Sequence, residues 1–150
     1  MLSTTSQYAL RALAFMAAQE EDEAVLGRRI AQETGIPANY LSKILLDLNS
    51  AGVVSAARGM GGGYRLTGKP SAITLDRVVS VFDADVVNPC CLLGYKRPCS
   101  DDNACTAHDV WKSTREKLVG FLRSTTLADI AGGAARRGVR RARAKRARTI

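Results

Sequence analysis

The 150-residue chain is long enough for one domain with a hydrophobic core and too short for two independent ones. Its 46% hydrophobic and 24% charged residues exclude a disordered polar chain, and no stretch approaches the roughly 20 apolar residues of a membrane span. The formal net charge of +8 suggests an anionic partner, but residues 134–150 hold eight Lys/Arg and no Asp/Glu, leaving 14 Lys/Arg against 14 Asp/Glu elsewhere. The basic excess is a tail, so charge alone does not make the folded part a nucleic-acid binder. Arg11 interrupts the first apolar run and no small-residue cleavage site follows, so a cytoplasmic location is expected. In that compartment the four cysteines are more readily metal ligands or redox thiols than disulfides.

In chain order, residues 5–18 predict a helix with Ala9, Ala12, Leu13 and Met16 on one face. Glu20–Glu23 reads as a solvated loop, and a short helix over 26–34 ends at Gly35. Pro37 opens a third helix reaching Asn49. Val53–Ser55 and Tyr64–Leu66, joined by a glycine cluster, predict a β-hairpin. Thr74 is positioned to cap a fourth helix carrying Leu75, Val78, Val79 and Phe82. Residues 84–104 read as a loop, Cys105–Ser124 as a long helix, and Thr126 as the cap of a short last one. The expected organisation is a folded unit over 1–83, a cysteine-bearing loop over 84–104, a long-helix region over 105–131 and a disordered basic tail over 132–150.

The segment 27–46 has the pattern of a helix-turn-helix. Ala31 sits where two helices approach, Gly35 lies in the turn, and Ile30, Ile36, Leu41 and Ile44 occupy the buried positions. The second helix is expected to bury Tyr40, Leu41, Ile44, Leu45 and Leu48. That leaves Ala38, Asn39, Ser42 and Lys43 outside, short or basic side chains of the kind that read base edges in a major groove. Arg28 and Arg29 stand where phosphate contacts fall. The hairpin follows directly, in the place of a wing, with Arg58, Gly61 and Tyr64 as its contact candidates for phosphate or minor groove. Gly63–Lys69 also resembles a phosphate loop, but Pro70 replaces the hydroxyl that would hold magnesium. The fold class expected is mainly α with a small β-hairpin wing.

The metal-ligand candidates are Cys90, Cys91, Cys99, Cys105 and His108. Their spacing is unlike the CxxC pairs of structural zinc knuckles, and sulfur donors select iron–sulfur clusters or zinc. On the predicted long helix Cys105 and His108 share a face, and the nearby helix N-terminus favours thiolate. Neighbouring side chains of an extended loop diverge, so Cys90 and Cys91 compete for one place. No oriented Cys–His pair with a substrate pocket is suggested, and no enzyme is expected.

Tyr40-Leu41, Leu45, Leu48, Ala51-Gly52, Arg58-Gly59, Gly61–Tyr64, Leu66, His108, Trp111, Leu118, Gly120–Leu122 and Thr126-Leu127 together resemble the IscR/NsrR-type winged-helix regulators of bacteria. Met60 departs from a proline common in that wing. The resemblance implies an iron–sulfur cluster on three cysteines with a variable fourth ligand. The gaps Cys99-x5-Cys105-x2-His108 match the member with a Cys3His [2Fe–2S] site, which favours [2Fe–2S] over [4Fe–4S]. The gap before Cys99 is longer than in that member, and Cys91 lies nearer its spacing than Cys90. Gln7 stands where some relatives supply a carboxylate, which favours His108 as fourth ligand. The implied partners are a pseudo-palindromic operator in double-stranded DNA and a second copy of the chain, and Trp111, Leu118, Phe121 and Leu122 form a stripe that serves either the dimer interface or core packing within one subunit. The alternatives are a regulator of this fold sensing through bare thiols or zinc, and an iron–sulfur carrier that binds no DNA.

Overall fold

The structure, a computed structural model, describes residues 2–20, 23–88, 91–94 and 100–131. Helix α1 (Thr4–Ala17) is capped by Ser3, whose side chain accepts from the Ser6 N–H, and it buries Ala9, Ala12, Leu13 and Met16. Around it pack α2 (Gly27–Thr34), α3 (Ala38–Ser50) and α4 (Leu75–Phe82). Helix α3 buries Leu41, Ile44, Leu45 and Leu48, the i, i+3, i+4, i+7 set of one helical face. Strands β1 (Val54–Ala57) and β2 (Gly63–Leu66) form the antiparallel hairpin, in register Val54↔Leu66 to Ala57↔Gly63. The fold class expected from the sequence is the one observed. No helix among the described residues is long and apolar enough to cross a membrane.

The hairpin is tied to the helix-turn-helix on its second edge. Val25 and Tyr64 exchange backbone hydrogen bonds of 2.9 and 2.8 Å, immediately before α2 begins. That crossing requires glycine next door. A Cβ on Gly63 would lie 2.7 Å from the Val25 carbonyl oxygen, and φ there is 137°.

Four local expectations are corrected. Thr74 precedes α4 but makes no side-chain cap; the Leu75 N–H instead donates to the Thr125 carbonyl at 2.9 Å. With the Leu127 N–H on the Ile73 carbonyl at 2.9 Å, this forms a strand-like crossing that satisfies the helix start from fifty residues away. The long helix, α6 (His108–Ser124), starts three residues after Cys105, which sits in the turn ahead of it. The stretch expected as loop holds a short α5 (Ala84–Val87) and a 3₁₀ turn at Asp101–Asn103. Leu122 is fully buried, and with Leu127 it joins the core formed by α1, α3 and α4 rather than an outward stripe. Residues 127–131 are helical, and Thr126 does head them: its N–H and hydroxyl both donate to the Asp129 carboxylate at 2.7 Å. The expectation for 132–150 lies outside the described residues.

Asp83, just past α4, accepts the Ser3 N–H at 2.8 Å and so fastens the start of α1. Burial pushes its carboxyl up, but the neighbouring Ser6 hydroxyl and the groups of Ser3 outweigh that and hold it below the ordinary carboxylate range. Because the folded value is depressed, this stabilisation is present above the ordinary range and is lost as pH falls through the folded value. Asp83→Ala should therefore cost about 1–2 kcal/mol in denaturant unfolding at neutral pH. The gap to wild type should close in acid; a gap that persists at low pH would mean that the charge is not what fastens α1.

Candidate nucleic-acid interface and cysteine region

The turn between α2 and α3 opens on Gly35, at φ 69°, whose N–H donates to the Ala31 carbonyl at 2.9 Å. This geometry throws the first turns of α3 outward. Ala38, Asn39, Ser42 and Lys43 are all exposed there. The Ser42 hydroxyl donates to the Ala38 carbonyl at 2.9 Å, so toward a groove it presents an oxygen acceptor. Leu46 continues this face and is 62% exposed.

The two arginines that head α2 part company. Arg28 is exposed, with no ion pair among the described residues. Arg29 bonds Glu23 and Gln19, each at 2.9 Å, and its guanidinium lies 5.9 Å from the Phe15 ring centroid. It braces α2 against α1. In the wing, Arg58 and Gly61 are exposed, whereas Tyr64 is half-buried, its ring against Gly27.

Tyr40 was expected in the core and is 42% exposed. Its hydroxyl shares a 2.8 Å hydrogen bond with the Thr5 hydroxyl, and its ring stands edge-on to Tyr8 with centroids 5.7 Å apart. Arg11 lies 5.2 Å over the Tyr8 ring. Helix α1 therefore brings Thr5, Tyr8 and Arg11 beside the start of α3, a contribution missed from the sequence. The spacing of these three along α1 was the available signal.

In the cysteine region, Cys91 is half-buried in a turn closed by the Gly94 N–H on its carbonyl at 3.1 Å. Cys105 is half-buried, and its carbonyl accepts the His108 N–H at 2.9 Å, one turn away. The His108 side chain is buried, with Nε2 2.9 Å from an Asp101 carboxylate oxygen that Lys112 Nζ also reaches at 3.1 Å. Lys112, then His108, holds the Asp101 carboxyl below its ordinary range, and Asp101 raises Lys112 in turn. Cys90 and Cys99 lie outside the described residues. Among the described residues no three His, Cys, Asp or Glu side chains gather as a metal site. Cys105 and His108 are thus linked through the backbone of one turn.

A helix-turn-helix with an exposed polar start to its second helix, followed by a hairpin wing, defines a winged-helix DNA-binding protein. The chain belongs to the Rrf2 family, described as iron-dependent transcriptional regulators, whose model matches residues 2–133. It is 34% identical over 133 residues to an HTH-type transcriptional regulator of Aquifex aeolicus, covering 87% of this chain and 90% of the relative. It is 32% identical over 129 residues to the HTH-type transcriptional regulator IscR of Yersinia pestis, covering 86% and 77%. Among solved structures it superposes on CymR, the global cysteine regulator of B. subtilis, with TM-score 0.74 and 26% identity over 88% of this chain and 96% of that one. T. potens IscR gives TM-score 0.71 at 25% identity, over 89% and 88%. The chain is a transcriptional regulator and not an enzyme.

The contrast between Arg28 and Arg29 has a measurable outcome. Arg28→Ala should lower the slope of log affinity against log salt by about 0.9 on any duplex. Arg29→Ala should leave that slope near wild type and cost under about 1 kcal/mol of stability. Equal slope changes for the two variants would mean that Arg29 leaves Glu23 to meet phosphate.

Proposed function

We propose that this regulator senses redox or iron–sulfur status through a cluster held by Cys91, Cys99, Cys105 and His108. The observation that carries the reading is His108. It is a buried imidazole one turn from a half-buried thiol, and a carboxylate holds its Nε2, the arrangement that orients a ligating histidine. Three thiolates and an imidazole suit an iron–sulfur centre, [2Fe–2S] rather than [4Fe–4S], and the family's description as iron-dependent agrees. Bound there, the cluster supplies a reversible one-electron change, while the chain's own residues orient it and shield it from water.

In this proposal the regulator acts in the cytoplasm as a homodimer on a pseudo-palindromic operator. Val110, Leu118 and Phe121 leave an apolar face on α6, between 40% and 73% exposed, for the second copy. Two copies of α3 then face half-sites about 34–36 Å apart. The second reading, a sensor of bare thiols or zinc, is favoured by the likeness to a cysteine regulator.

Visible absorbance with iron and sulfide content of anaerobically purified protein separates the two, because zinc and thiols are colourless. Cys91→Ala, Cys99→Ala and Cys105→Ala should each lose the chromophore, Cys90→Ala should keep it, and His108→Ala should shift it. A colourless Cys90→Ala beside a normal Cys91→Ala would reverse that assignment. Wild-type protein that binds no cluster on reconstitution would leave the thiol reading.

The basic tail has a separate role in the same proposal, as a sequence-blind arm for phosphate. The family model stops at residue 133, and all eight tail cations follow it. Each full phosphate contact adds about 0.9 to the salt slope. Truncation after Gly133 should flatten the slope and weaken specific and random duplexes about equally. An unchanged slope would assign the tail to another partner.

A further inference from the structure

The tip of the wing carries a side chain that the reading face does not explain. Met60 is fully exposed, at 105% of its reference surface, with no shelter from the described residues. It sits between Gly59 at φ 92° and Gly61 at φ 74°, and the Gly62 N–H closes the turn on the Gly59 carbonyl at 3.0 Å. A Cβ on Gly62 would lie 2.5 Å from the Ala57 carbonyl oxygen and 2.7 Å from that of Gly59, so the turn closes only as bare backbone. From Arg58 to Gly63 the hairpin therefore bears two side chains, one cationic and one apolar, on an otherwise naked ribbon. Its base is fixed, because Gly63 and Tyr64 lie against Val25.

We infer that Met60 is a minor-groove wedge, a residue that sets how this regulator deforms its DNA. The inference rests on the winged-helix reading of the DNA-binding face. A minor groove, about 6 Å wide, is too narrow for a two-stranded ribbon to lie in, but a tip stripped to backbone can approach its mouth closely enough for a single side chain to reach in. Arg58 supplies the charge that the groove's potential attracts. Methionine is unbranched and polarisable, and apolar wedges of this kind partly unstack a base step and kink the duplex toward the major groove. The occupant is thus double-stranded DNA, chosen by the cation at the base of the tip and by the tip's position directly after the reading helix. Because pyrimidine–purine steps unstack most readily, Met60 favours sites with such a step under the wing, beyond the bases that α3 reads.

The test uses the full chain and a duplex enriched by the wild-type protein from random-sequence DNA, end-labelled so that energy transfer reports its bend. Met60→Ala should bind about tenfold more weakly and lose most of the bend, while Met60→Leu keeps both. Peroxide gives an independent readout by mass spectrometry. Met60 should oxidise quickly in free protein and at least about tenfold more slowly on the duplex. Met16, buried in the core, is the internal control that should stay unmodified in both. Met60→Ala with wild-type affinity and bend would overturn the inference, as would equal oxidation of Met60 with and without DNA. Slow oxidation of Met60 already in the DNA-free protein would reassign the tip to a contact between copies. A wild-type chain that enriches no sequence would bring down the DNA-reading face itself, a result distinct from any of these.

Discussion

Ala9 and Ala12 carry no exposed surface, and because neither side chain extends past Cβ, helices α2, α3 and α4 close onto α1 at short range. Larger residues there would wedge α3 away from α4 and open the core. Leu13 fills the middle of this junction, with Leu41, Ile44, Leu45, Val78 and Val79 among the residues of the same cluster. The direction in which Asn39, Ser42 and Lys43 face is therefore a property of α1, not of the turn at Gly35 alone. Leu122 and Leu127 enter that cluster from the far end of the chain, so the end of α6 and the reading helix share one core.

The cations of the folded part are distributed with some economy. Arg29 is held by Glu23 and Gln19, and Arg11 reaches the Thr34 carbonyl at 3.5 Å while lying over Tyr8. Both serve the helix contacts. Among the cations that remain open on the outer surface, Arg28, Lys43 and Arg58 are spread over α2, α3 and the wing, with Arg65 and Lys69 on and after β2. A surface of this kind orients a duplex through separate points rather than attracting it with a broad field, which suits a folded part whose formal charges cancel.

What could be read from the sequence was whatever repeats at short range. The spacing 9, 12, 13, 16 marks α1 and the spacing 41, 44, 45, 48 marks α3, because burial on a helix follows its own period. Gly35 and the glycine run of the wing were legible since each answers a local backbone demand. The misses all involve distant partners. Tyr40 looked apolar enough to bury, but its hydroxyl finds Thr5, thirty-five residues earlier, and stays at the surface. Thr74 has the chemistry of a cap, yet Thr125 supplies the acceptor. Cys105 was counted into α6, but the helix opens only at His108, whose buried ring is held by Asp101 in the preceding turn. For the cysteines the sequence spacing gives a choice of ligands. In the described structure Cys91 and Cys105 are half-buried and His108 follows Cys105 by one turn, while Cys90 and Cys99 lie outside it.

The backbone crossing of residues 73–75 with 125–127 has a mechanical consequence. It seats the end of α6 beneath α4 with two main-chain hydrogen bonds and the Leu122 and Leu127 side chains. The opposite end, next to Cys105, is held by α5 and by the contacts of His108 and Lys112 with Asp101. A helix of 17 residues is about 25 Å long. For a rigid rod of that length seated at one end, a tilt of about 5° at the seat corresponds to about 2 Å of travel at the cysteine end. By the same geometry a displacement of atomic size at the Cys105 end corresponds to only a small rotation under α4, of a size that a close-packed core can take up by slight side-chain adjustment.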